Sequence, residues 1–140
     1  MEAFMVKGAR RGEYLEFFDR NPADSTKPVE EFSVRIVDMN LSASTRVFAG
    51  HSGFNSHPAP FFAEMSRQWK IWEDELIWES IEHELNLGAT YDRFGHIYLC
   101  VALRSGIGEW EWSIRSIVTV EAGQLERLAR DAAVFFGEPC

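Results

Sequence analysis

The sequence predicts an α+β domain: an antiparallel β-sheet of five to six strands with two amphipathic helices packed on one face. Three observations lead there. Apolar and polar residues alternate over most of the chain, two stretches switch to helical spacing, and Gly, Asn, Asp and Pro punctuate the boundaries. A chain of 140 residues, 46% hydrophobic and 26% charged, has material for one core. Residues 1–140 therefore read as a single domain, burying about 70% of its unfolded surface.

Glu13 to Asp19 is expected to form a strand, followed by a turn-rich linker from Asn21-Pro22 to Lys27-Pro28. Phe32, Val34 and Ile36 share a face opposite Ser33 and Arg35. After Val37 the apolar positions shift to Met39 and Leu41, which suggests a bulge or bend; Ser42 to Phe48 continues as strand, readable as the return arm of a hairpin. Gly50 to Asn55 reads as loop. Ser56 can cap a helix whose first turn tolerates Pro58 and Pro60, with Phe61, Phe62, Met65, Trp69 and Trp72 on one buried face.

Leu85, Leu87, Ala89 and Tyr91 then alternate with polar positions, and Asp92-Arg93-Phe94-Gly95 reads as a hairpin turn. Ile97, Leu99, Val101 and Leu103 line one face of the next strand. Gly106 to Gly108 turns the chain again, into a strand that carries Trp110 and Trp112 on one face and runs to about Val120. A helix from about Ala122 to Phe136 closes the chain, its stripe formed by Leu125, Leu128, Ala129, Ala132 and Phe136, with Gly137 placed to end it.

The net charge of −8 argues against a nucleic-acid binder, because no Lys/Arg stripe supplies a positive field. Lys7, Arg10 and Arg11, the densest basic cluster, are answered at once by Glu13 and Glu16. A basic ligand, or a basic protein, is the natural partner for a surface of this sign. No apolar run approaches the roughly 20 residues that span a bilayer, and no signal-type segment follows Met1, so a cytoplasmic protein without membrane contact is expected. Cys100, inside the apolar run from Tyr98 to Leu103, reads as a buried small hydrophobe, and Cys140 as a loose terminal thiol.

Motifs for chemistry are weak. Gly50-His51-Ser52-Gly53 lacks the glycine two residues after the serine that a nucleophile elbow needs, since Phe54 stands there. His51, His57, His83 and His96 form no metal-ligand spacing, and Gly106-Ile107-Gly108 lacks the third glycine and the following helix of a phosphate loop. No catalytic residue, cofactor or metal is assigned.

The run from Trp69 to Glu84 stands out. Glu73, Asp74, Glu75, Glu79, Glu82 and Glu84 are interleaved with Trp69, Trp72 and Trp78, and Lys70 is the only base. Two readings stay open. One is a solvated helix end and connector with inward tryptophans; the other is an acidic patch with aromatic anchors, formed by Trp72, Glu73, Asp74, Glu75, Trp78, Glu79 and Glu82, that recruits a cationic protein.

From Trp69 onward the chain resembles a family of small bacterial proteins of unknown function. The resemblance rests on the spacing of Trp72 and Trp78, on Asp92-Arg93-Phe94-Gly95-His96 leading into an apolar strand that ends near Arg104, on Trp110 and Trp112, and on the helix opening Glu121-Ala122-Gly123-Gln124-Leu125. It covers the last half of the chain well and Phe32 to Phe48 loosely, and it implies no catalytic residues. The layout of strands, helix, three strands and helix is also similar to that of WapI-type immunity proteins, which implies an acidic surface that neutralises a basic toxin domain. The sequence therefore favours a non-enzymatic protein-binding module of immunity-like role, with a small-ligand-binding domain or a hydrolase as the alternative. Self-association stays open.

Overall fold

The computed structural model describes residues 1–10, 12–51, 54–68, 74–105 and 112–137. Four strands open the chain: β1 (Ala3–Lys7), β2 (Tyr14–Asn21), β3 (Glu31–Asp38) and β4 (Leu41–Phe48). They form an antiparallel meander in the order β1-β2-β3-β4. A two-stranded ribbon of β5 (Gly50–His51) and β6 (Phe54–Asn55) leads to α1 (Ala59–Gln68). A second four-stranded meander follows, built from β7 (Leu76–Glu79), β8 (Leu85–Tyr91), β9 (His96–Arg104) and β10 (Ser113–Glu121) in the order β10-β9-β8-β7. A single 3-10 turn, Ala122–Gln124, then passes into α2 (Leu125–Phe136).

The α+β class holds, but the expected single sheet of five to six strands is two four-stranded sheets. The sequence reading left out β1 and β7, and it took Gly50 to Asn55, the site of the β5–β6 ribbon, for a loop. The division falls at the connection after β4, which carries the β5–β6 ribbon and α1 before β7 begins; β4 and β7 do not pair, and each ladder runs among the strands of its own meander. Both sheets turn one face to a common core. Phe4, Val6, Leu15, Phe17, Phe32, Val34 and Ile36 come from the first, and Leu85, Leu87, Ile97, Leu99, Val101, Leu103, Val118 and Val120 from the second. The helices add Phe61, Phe62, Met65, Leu125, Leu128, Ala132, Phe135 and Phe136.

The shift of phase after Val37 is a hairpin. Asp38 pairs with Leu41, and Met39-Asn40 turns the chain with Asn40 at φ 58°. Aromatic rings fill the centre, where Phe17 stacks 5.4 Å from Phe4 and meets Phe136 edge-on at 5.5 Å. Edge-on and offset contacts of this kind add to the burial of the rings themselves. α2 ends at Gly137, whose φ of 82° is the left-handed cap position. The Arg20 guanidinium donates there to the Phe135 carbonyl at 2.7 Å, and to the carbonyls of Pro22 and Lys27.

Two buried carboxylates join the sheets. Glu13 accepts the Thr119 N–H of β10 at 3.1 Å and the Arg10 N–H at 3.2 Å, and Arg10 clamps its other oxygen from the side. Alongside, the Ala9 N–H donates to the Thr119 carbonyl at 2.7 Å. Glu84 accepts the Phe48 N–H at the end of β4 at 2.8 Å and the Ser80 hydroxyl at 2.6 Å. Each glutamate thus satisfies a backbone donor that the ladder of the other sheet leaves over.

Candidate functional site

The two sheets differ on the side away from the core. On the first, charges are tied to one another: Arg35 meets Glu16 at 2.9 Å and lies over the Phe18 ring, while Arg46 spans Glu31 and Asp19. On the second, strand register sets up two rows. Ile77, Gly88, Cys100 and Ile117 pair in sequence across β7, β8, β9 and β10. Beside them run Glu79, Asn86, Ala102 and Arg115. Cross-strand partners share a face, so the first row is an apolar stripe and the second carries an acid at one edge and a base at the other. Ile77 is 63% exposed and Ile117 47%.

Between the rows lies a shallow groove of about 270 Å³, walled by Glu75 and Glu79 on one side and by Arg104 and Arg115 on the other. Gly88 makes room for it: a methyl group there would overlap the Glu75 carboxylate, which lies across the strand. The Arg115 guanidinium donates to the Cys100 sulfur at 3.2 Å. That hydrogen bond, with the charge of Glu75 adding to it, raises the Arg115 pKa above the ordinary arginine range. In the groove lining, the Asn86 side-chain oxygen is buried without a hydrogen-bond partner among the described residues. Those residues contain no cluster of three His, Cys, Asp or Glu side chains suited to a metal ion, and no helix long and apolar enough to cross a membrane.

The face continues to the β8–β9 turn. Asp92 accepts the Phe94 and His96 N–H groups at 2.7 and 3.1 Å, the His96 ring at 3.0 Å and the Tyr98 hydroxyl at 3.2 Å. Burial pushes the Asp92 pKa up, but these hydrogen bonds outweigh it and hold the carboxyl below the usual aspartate range. The turn needs positive φ at Arg93 and Gly95, and it presents Phe94 at 85% exposure.

Of the residues expected to form an acidic patch, Trp72 and Glu73 lie outside the described residues, as do Trp69, Trp110 and Cys140. Glu75 and Glu79 come together on the groove, with Ile77 between them along β7. Asp74 is exposed just before β7, and Glu82 is half-buried in the turn after it. Trp78 points the other way and packs against the core, because alternation along β7 sends it to the face opposite Ile77 and Glu79. Trp112 precedes β10 and is exposed.

Cys100 requires a correction. It is half-buried, not an interior residue, because alternation along β9 puts Ile97, Leu99, Val101 and Leu103 in the core and turns Cys100 outward to Arg115. The sequence reading also missed Asn86, Gly88, Arg104 and Arg115. The signal that could have found Cys100 and Arg104 is the inward row already read on β9, which assigns both to the outer face.

Fold and site together define a small α+β domain in which two antiparallel meanders share one core and one sheet keeps an open, charge-walled outer face. The chain belongs to DUF6228, a family of unknown function, whose model matches residues 6–139. Neither the curated proteins nor the solved structures contain a match to it.

Proposed function

We propose that the protein is a binding module that takes a basic protein on the outer face of its second sheet, acting by contact and not by catalysis. One observation carries the reading: Ile77, 63% exposed, stands on the edge strand β7 between Glu75 and Glu79. An exposed apolar side chain flanked by carboxylates suits a partner whose cationic residues surround an apolar contact. The net charge of −8 adds long-range attraction for such a partner. The most concrete form is an immunity-like role in the bacterial cytoplasm, neutralising a basic enzyme, in keeping with the resemblance of the element order expected from the sequence to that of WapI-type immunity proteins.

The test uses the full chain immobilised in source-cell lysate at low salt, wild type against the double variant Glu75→Lys/Glu79→Lys. A basic protein retained by the wild type and lost by the variant is expected. With that protein purified, association should slow by about tenfold on charge reversal. It should slow again as added salt shortens the screening length toward about 8 Å. Recovery of the same proteins by both forms, or of no basic protein by either, would remove the proposal.

A further inference from the structure

The outer face of the second sheet is self-complementary. We propose that two copies of this chain pack these faces together about a two-fold axis, with Glu79 of each copy against Arg115 of the other. This goes beyond the capture of a basic protein and does not rest on it; the two compete for the same face, so the dimer and the complex with a basic protein exclude one another.

Turn one copy by half a revolution about an axis parallel to the strands and placed between β8 and β9. Its β7 then lies over β10 of the first copy, its β8 lies over β9, and each cross-strand row stays opposite itself. In one row Ile77 comes over Ile117, and Gly88, crossed by the Glu75 carboxylate, comes over Cys100 and the Arg115 guanidinium bonded to it. In the neighbouring row Glu79 comes over Arg115 and Asn86 over Ala102, so a carboxylate meets a guanidinium twice per dimer. An isologous interface needs this correspondence, because every contact is made by both copies. A two-fold axis across the strands at the Ile77 row would lay β7 on β7 and set Glu79 over Glu75. Charge therefore selects the first arrangement.

Charge also selects this face. On a chain of net charge −8, two copies repel over most of their surface, but here Glu75 and Glu79 are balanced by Arg104 and Arg115. The outer face of the first sheet has its arginines bonded to its own acids, whereas on this face Arg115 bonds to the Cys100 sulfur and Glu79 lies 3.5 Å from the His83 ring. Three strands of about seven residues and the four-residue β7, about 4.8 Å apart and rising about 3.4 Å per residue, offer roughly 400 Å² per copy. Twice that is at the small end for specific association, so the dimer forms and dissociates with concentration.

Sedimentation equilibrium of the purified full chain over a range of concentrations is the test. The wild type should pass from monomer to dimer. Glu79→Lys and Arg115→Glu should each weaken association by about tenfold, since each sets like charges together. The double variant Glu79→Lys/Arg115→Glu should restore it, with circular dichroism showing all forms folded. A monomeric mass at every concentration, a dimer that neither single reversal weakens, or a double variant no better than the singles would each overturn the proposal. Arg115→Glu separates the two readings, because it disrupts the dimer while adding negative charge that favours a basic partner.

Discussion

Replacing Glu13 with alanine should loosen the joint between the two sheets. The residue is 3% exposed, and its carboxylate takes the N–H groups of Thr119 and Arg10. Removing it leaves both donors without that acceptor, at about 1–3 kcal/mol for each one that stays buried. The Arg10 side chain is 58% exposed and can rehydrate, so its ion pair adds little. Together about 2–4 kcal/mol is expected, against a total stability on the order of 5–15 kcal/mol. Glu13→Gln keeps one carbonyl oxygen as acceptor and should lose less. Urea denaturation followed by tryptophan fluorescence measures both, with the midpoint shifted and the slope unchanged. If Glu13→Ala unfolds at the wild-type midpoint, the Glu13 clamp contributes nothing to holding the sheets together.

Phe17→Ala should cost about 3–5 kcal/mol, because the ring is fully buried among Phe4, Phe32, Phe62 and Phe136; a loss below about 1 kcal/mol in the same assay would place it outside the core. Asp92 has its pKa lowered in the fold, so its contribution is present above the unfolded value near 3.8 and fades as pH falls through the lower folded value. Asp92→Asn should accordingly flatten the loss of stability with acid in that window, and a melting profile against pH that parallels wild type would contradict this. Cys100, half-buried beside Arg115, should react with a thiol reagent in the native protein. Labelling that waits for unfolding would return it to the core.

Much of the fold was legible in the sequence because local patterns carried it. The hairpin turn at Asp92 to Gly95 and the end of α2 at Gly137 were readable from residues that favour positive φ or local hydrogen bonds. The inward row of β9 was readable from alternation. β1 was missed because five residues next to charged Lys7, Arg10 and Arg11 hardly establish a period, although Phe4 and Val6 form its buried face. β7 was missed because the acids around Leu76–Glu79 look like solvated connector, and edge strands tolerate such charge.

The sequence by itself determined the α+β class, the place of both helices, and the side of each well-patterned strand that faces inward. Those properties follow from periodicity, and periodicity is local. Only the tertiary structure decided that the strands divide into two sheets, since pairing depends on where a connection delivers the next strand. It also decided that Glu13 and Glu84 serve as buried clamps, because their partners Thr119 and Phe48 lie 106 and 36 residues away along the chain. The same holds for the candidate site. Glu79 and Arg115 belong to opposite edges of one sheet, and only strand register brings them into a single row with Asn86 and Ala102 between them.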